Sequence, residues 1–174
     1  PVCTTEFIAL SRMNETFESL NTKLIGLSID SLHSHLGWIK SIEALNFNNE
    51  GKVKIPFPII ADISMNVAKK YGMLQTVANT QTVRAVFIID PEGIIRTILY
   101  YPMSTGRNIP EIIRILQSLQ LNDKTHYSTP ANWQPGDDVV MGAPLTIEEA
   151  QERLESSDNT IKHLDWYLTM KKMK

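Results

Sequence analysis

The sequence predicts an α/β sandwich. Three observations carry that reading. Apolar residues recur at steps of three and four within residues 3–20, 32–45 and 109–119. Short runs rich in Ile, Val and Leu stand between them at 23–30, 55–62 and 83–90. A turn of composition Asp90-Pro91-Glu92-Gly93 is followed by another apolar run, as in a hairpin. The order helix, strand, helix, strand, helix, hairpin, helix is that of helices packed on sheet.

Taken in order, residues 3–20 place Phe7, Leu10, Met13, Phe17 and Leu20 on one helical face, with Arg12, Asn14, Glu15 and Glu18 elsewhere. Lys23–Asp30 reads as a buried strand. Ser31 caps a second helix, whose face carries Leu32, Leu36, Ile39, Ile42 and Leu45. Residues 46–54 are polar, contain Gly51 and read as a loop. Ile55–Asp62 is a strand whose prolines place it at an edge or confine pairing to its later half. Ser64 caps a short helix through Lys70, ended by Gly72. Val83–Asp90 and Ile94–Tyr101 form the hairpin. Asn108, with Glu111 three residues on, opens a helix bearing Ile109, Ile112, Ile113, Leu116 and Leu119.

After Leu121 the character changes. Residues 122–144 are rich in Pro, Gly, Asp and Asn and read as an irregular connector. Thr146–Ser157 reads as a short acidic helix, and Thr160–Met170 as a strand or extended arm.

With 174 residues the chain suffices for one domain and a small appendage, in a composition typical of soluble globular proteins. A net charge of -2 gives no basic footprint for nucleic acid or an acidic membrane. No apolar run approaches the ~20 residues of a membrane-spanning helix. The first residues lack a basic run followed by an apolar one, so no secretory signal is expected. A single cysteine excludes a disulfide within the chain and favours a reducing compartment.

That cysteine, Cys3, stands at the start of the first helix. Unpaired backbone N–H groups and the positive end of the helix dipole favour a thiolate there. Such positions can lower a thiol's pKa from ~8.5 to within ~3.5–7.5. A lone cysteine can equally be a small buried hydrophobe. Arg84 lies in an otherwise apolar strand. It is either an exposed or salt-bridged edge residue, or a fixed cation that holds an anion such as a thiolate. Glu6 reads by default as a carboxylate favoured by the helix dipole, and Arg107 as a solvated loop residue. His33 and His35, two apart near a helix start, do not face each other, so no metal site is expected. Trp38, Trp133 and Trp166 read as core or interface anchors.

At these residues the chain resembles the peroxiredoxin family, in the one-cysteine branch related to mammalian peroxiredoxin six. Pro1-Val2-Cys3-Thr4-Thr5-Glu6 is similar to the family's active-site segment. Asp30-Ser31, Ser34-His35 and Trp38 follow as in its next pattern. Phe57–Asp62, Val67-Ala68 and Tyr71-Gly72-Met73 match the block after that. Arg84–Pro91 resembles the strand that carries the family's arginine. Tyr101-Pro102, then Ser104–Asn108 and Glu111, match a later signature, and Ser128–Trp133 resembles the start of the branch's C-terminal extension.

The resemblance implies a thioredoxin-like peroxidase domain over 1–121, lacking its N-terminal strands, and a C-terminal extension over 122–174 that contacts a partner subunit. It implies a thiol-dependent peroxidase acting on hydrogen peroxide and organic hydroperoxides through a sulfenic acid. Cys3 would be the reactive thiol and Arg84 its partner, with Glu6 and Arg107 supporting that arginine. No cofactor is expected. The expected partners are the hydroperoxide, an external thiol or other reductant and further copies of the chain, as a homodimer or larger oligomer. The expected location is the cytoplasm. The family's P-x-x-x-T-x-x-C motif starts seven residues before its cysteine, so its proline and threonine are expected ahead of Pro1. Where some relatives carry a second cysteine near a DWWFC-like run, this chain has Asp165-Trp166-Tyr167-Leu168-Thr169. A non-catalytic oligomeric or chaperone-like module on the same fold is the alternative. A thiol–disulfide oxidoreductase is disfavoured because no C-x-x-C is present.

Overall fold

The structure, a computed structural model, describes residues 1–76 and 79–173. The chain divides into two compact units, Pro1–Ile109 and Pro110–Lys174.

In the first unit, the helix expected over 3–20 is two helices, α1 (Val2–Arg12) and α2 (Asn14–Ser19). They part at Met13, whose φ of -94° and ψ of 4° are those of a turn. Arg12 fixes the end of α1 to the loop that follows the next long helix. It pairs with Glu50 and donates to the Phe47 and Gly51 carbonyls. Phe17 is fully buried, as its periodicity implies, but Ile8 and Glu6 are buried as well.

The first strand contracts to β1 (Gly26–Ser28). Helix α3 (Leu32–Ala44) carries the chain across to β2 (Ile59–Ala61), which pairs with β1 in parallel. A parallel pair needs such a crossover. Pro56 and Pro58 have no N–H to give, and the ladder begins only after them. Ser31 caps α3 as expected, accepting from the Ser34 N–H at 3.2 Å.

The face expected of α3 is buried only in part: Ile42 is buried as expected and Ile39 partly so. Leu32, Leu36 and Leu45 are each about half exposed or more, while His35 and Ile42 are buried and Trp38 is partly so. Two polar tips turn this stripe inward. The His35 Nε2 lies 2.9 Å from Ser28 Oγ on β1, and Trp38 Nε1 donates to Thr4 Oγ1 on α1 at 3.1 Å. Ser28 spends its one proton on Asp30 Oδ2 at 2.6 Å, so Nε2 of His35 is the donor in that pair.

The loop after α3 contains one tight turn at Phe47–Asn49, and Asn48, Asn49 and Gly51 adopt positive φ. Helix α4 (Asn66–Lys70) is capped by Asp62 rather than by Ser64. The buried carboxylate accepts from the Val67 and Ala68 N–H groups at 3.1 and 2.7 Å. Two charged oxygens satisfy two orphan donors, which one hydroxyl cannot do. Gly72, at φ 63°, ends the helix as expected.

β3 (Leu74–Thr76) and β4 (Asn79–Thr82) form an antiparallel pair that the sequence did not announce. β5 (Arg84–Ile89) and β6 (Ile95–Tyr101) are the expected hairpin. Its turn is closed by Asp90 Oδ1, which accepts from the Glu92 and Ile94 N–H groups, and by Gly93 at φ 83°.

Helix α5 (Ile109–Thr125) buries Ile109, Ile112, Ile113 and Leu116. It runs past the expected end, and at its close Thr125 turns its hydroxyl back to the Leu121 carbonyl. In the second unit, the expected connector over 122–144 also holds a strand, β7 (Val139–Val140). Trp133 is its core anchor, donating from Nε1 to the Asp137 carbonyl at 3.2 Å. Thr146 caps α6 (Ile147–Leu154) by accepting from the Glu149 N–H. The terminal segment is a hairpin, β8 (Ile161–His163) and β9 (Thr169–Lys171), and β9 lies between β8 and β7. Asp158 binds the Thr160 hydroxyl and the Lys171 ammonium at the hairpin's base, which holds its carboxyl far below the usual range. Trp166 is exposed and is no core anchor.

Replacing Asp62 by Ala leaves two N–H groups of α4 without an acceptor. Urea unfolding should show a loss of about 1–2 kcal/mol, whereas Ser64→Ala should be near neutral.

Candidate active site

Cys3 lies in the first turn of α1, behind Pro1, which offers the helix no side-chain cap. The leading N–H groups of α1 therefore lack partners from within the helix. Thr5 does not cap them either, since its hydroxyl donates back to the Val2 carbonyl at 2.7 Å. Three residues beyond Cys3, Glu6 emerges on the same side of the helix. Both face the start of β5.

There Arg84 enters from the strand, 5% exposed. Its Nη1 donates to Cys3 Sγ at 3.2 Å and to Glu6 Oε2 at 2.9 Å. Its Nη2 donates to the Met103 carbonyl at 3.0 Å. The Nε is buried with no acceptor among the described residues. Arg107 joins from the loop after β6, and it is not a solvated loop residue. Its Nη1 donates to Glu6 Oε2 at 2.6 Å, its backbone N–H to Glu6 Oε1 at 2.8 Å, and its Nη2 to the Ala85 carbonyl at 2.8 Å. All four residues singled out in the sequence thus meet at one point, the closing strand and loop being 78 to 101 positions from Glu6 along the chain. Both readings of Arg84 have a counterpart here: it is ion-paired with Glu6, and the same guanidinium donates to the cysteine sulfur, while the exposed edge position is not observed.

Two guanidinium groups stand against one carboxylate, which leaves one positive charge over beside the sulfur. Burial works against the charged form of Arg84, but the hydrogen bond to Cys3 and the pull of Glu6 outweigh it, so its pKa is raised above the ordinary value. The cation is permanent. Cys3 itself remains partly accessible, as a thiol that meets a small molecule must.

The Met103 and Ala85 carbonyls were not foreseen. Every residue carries a carbonyl, so no side-chain pattern marks these two. His33 is exposed and His35 buried, and the described residues hold no group of three or more His, Cys, Asp or Glu placed to bind a metal. No described helix is long and apolar enough to cross a membrane.

A partly accessible cysteine at a helix start, gripped by a buried arginine, is an arrangement suited to a thiol-dependent peroxidase. The comparisons with known proteins place the chain further. The AhpC/TSA family matches residues 1–98, and the C-terminal domain of 1-Cys peroxiredoxin matches residues 118–157. A peroxiredoxin of Methanosarcina mazei is 53% identical over 174 residues, covering 99% of this chain and 80% of the relative. One of Hyperthermus butylicus is 47% identical, covering 96% and 70%. Among solved structures, the yeast mitochondrial 1-Cys peroxiredoxin has a TM-score of 0.84 at 37% identity, over 99% of this chain and 81% of that one. A cysteine-to-serine mutant of the peroxiredoxin 6 of Arenicola marina has a TM-score of 0.82 at 33% identity, over 100% and 80%. The chain belongs to the AhpC/TSA family, in its one-cysteine peroxiredoxin branch. It has the thioredoxin-like fold with a C-terminal domain, and it is a peroxidase of the antioxidant class. The non-catalytic alternative gains no support.

Arg84→Met removes the cation and leaves the Glu6 carboxylate beside the sulfur. The rate of Cys3 alkylation at neutral pH should fall, because the charged form of the thiol loses its partner, while Glu6→Gln, which removes the anion, should not lower it.

Proposed function

We propose that Cys3 performs the peroxidase reaction, with Arg84 as its electrostatic partner and with Glu6 and Arg107 holding that arginine in place. The single observation that carries this is the 3.2 Å hydrogen bond from a buried, permanently charged guanidinium to the chain's only cysteine sulfur.

The Cys3 thiolate attacks the terminal oxygen of a hydroperoxide. A sulfur–oxygen bond forms, the O–O bond breaks, and Cys3 becomes a sulfenic acid while hydroxide or alkoxide leaves and takes a proton from water. Two electrons pass from sulfur to peroxide. Negative charge moves from the sulfur to the leaving oxygen during this step. Arg84 sits where it meets both ends of that movement, and a fixed donor in such a place lowers the barrier by roughly 3–4 kcal/mol. Glu6 and Arg107 make the donor fixed: with Nη1 tied to Glu6 and Nη2 to the Met103 carbonyl, the guanidinium does not turn away as charge develops.

With one cysteine in 174 residues, the sulfenic acid is reduced by a thiol from outside these residues, or by another small reductant. The yeast mitochondrial 1-Cys peroxiredoxin resolves its thiol via glutathione and thioredoxin systems. An exogenous thiol for this chain agrees with that chemistry. The single unpaired thiol also suits a reducing compartment, and the cytoplasm is the proposed location.

The segment 122–174 is proposed as the extension that contacts a second copy of the chain in a homodimer. Its apolar groove of about 510 Å³, lined by Leu145, Ile147, Leu154 and Trp166, supports this. Leu145 is 91% exposed, a large apolar surface for a lone subunit to leave in water.

Cys3→Ser should abolish hydroperoxide consumption while the protein remains folded. Retained activity would remove the assignment of Cys3. Mass spectrometry of wild type under excess peroxide should find the added oxygens on Cys3. For the assembly, Leu145→Asp should shift the wild-type dimer toward monomer in sedimentation, and a wild type that is monomeric at micromolar concentration refutes that proposal.

A further inference from the structure

Helix α1 presents two neighbouring faces to the rest of its unit. Cys3 and Glu6 turn toward Arg84 on β5. Thr4, Phe7 and Ile8, one step round the helix, turn the other way. Ile8 is 2% exposed, and Phe7 stacks on Trp38 of α3, ring centres 4.7 Å apart, and on Phe57 at 5.4 Å. The Phe7 ring also lies on β1 at Gly26, where even a methyl group would come within 3.0 Å of it.

The ring contacts hold the helix down but do not fix its rotation about its own axis. Stacked rings tolerate sliding, because dispersion is not directional. A hydrogen bond does resist it. The bond that ties this face of α1 to α3 runs from Trp38 Nε1 to Thr4 Oγ1 at 3.1 Å. The indole N–H is a donor only, so Thr4 must accept. Trp38 is itself steadied, since His35, one turn earlier on the same stripe, bonds Ser28 of β1 at 2.9 Å.

The geometry makes rotation matter. A side-chain atom stands roughly 5 Å from the helix axis, so a roll of about 10° carries it by about 1 Å. That displacement would break a 3.2 Å bond such as the one between Arg84 and Cys3. Thr4 is adjacent to Cys3, so whatever stops the roll at one fixes the sulfur at the other.

We infer that Trp38 is a positioning residue for the peroxidase reaction: its N–H···O bond to Thr4 fixes one face of α1 while the bonds to Glu6 fix the other, and the roll set between them holds the Cys3 sulfur against Arg84. This rests on the assignment of the chemistry to Cys3 and Arg84. The merely structural role for Trp38 is core packing, and the two differ in what they change. Packing alone would alter stability. Positioning alters the sulfur's chemistry.

The test uses the full-length protein and the variants Trp38→Phe, which keeps a ring against Phe7 without the N–H, and Thr4→Val, which keeps the shape without the acceptor. Each should lower the second-order rate constant for hydrogen peroxide by roughly ten- to a hundredfold, and each should move the pH midpoint of Cys3 alkylation upward. Thr4→Ser restores the acceptor and should retain wild-type values. The double variant should be no slower than the slower single one, because both remove the same bond. If Trp38→Phe fails to fold, Thr4→Val decides alone. A Thr4→Val enzyme with unchanged rate and midpoint overturns the inference, whatever its thermal stability. Cys3→Ser, assayed alongside, separates the two failures: an active Cys3→Ser protein sinks the site assignment, whereas an inactive one beside a normal Thr4→Val protein sinks only the role of Trp38.

Discussion

Glu6 takes three hydrogen bonds in a setting almost without water. Two come from guanidinium groups and one from a backbone N–H. A buried carboxylate is costly unless it is paired and its lone pairs are filled. Here both conditions hold, and the surplus positive charge goes to the sulfur. The carboxylate is therefore the organiser of the site. It draws the start of β5 and the loop after β6 onto one helix, and it presents Arg84 to Cys3 at a fixed angle. The rest of the first unit makes that meeting possible. The β5–β6 hairpin brings Arg84 and the Met103 carbonyl to the same end, and the α3 and β1 contacts press α1 from the other side.

A thiol peroxidase needs its nucleophile charged, reachable and still. On the proposed assignment to Cys3, the helix start and Arg84 favour the charge, and partial exposure supplies the reach. Stillness is the demand most easily overlooked, since the sulfur sits on a short side chain at the very first turn, where helices fray. Polar tips inside apolar packing answer it: the indole of Trp38 and the imidazole of His35 each pack a ring and fix it with one directional bond.

Much of this was legible in the residues. The hairpin was, because Asp90 and Gly93 have the chemistry of its turn and Val83–Asp90 has no other use. Cys3 and Arg84 stood out as a lone thiol at a helix start and a cation in an apolar strand. What could not be read were the choices made by tertiary partners. The periodicity of α3 groups Leu32, Leu36 and Leu45 with Ile42, yet of these only Ile42 is buried; His35 joins it, and Trp38 in part, because Ser28 and Thr4, distant in sequence, bond their polar tips. Ser64 looked like the cap of α4, yet Asp62 reaches over it with a charged group. Glu6 and Arg107 each have an ordinary local explanation, and only their contact gives them another.

The Met103 and Ala85 carbonyls have an evolutionary corollary. Because the arginines are anchored there to main chain, selection on the charge network does not see the side chains at those two places. Position 103, whose side chain is half exposed, can thus change that side chain without removing the acceptor that holds Arg84.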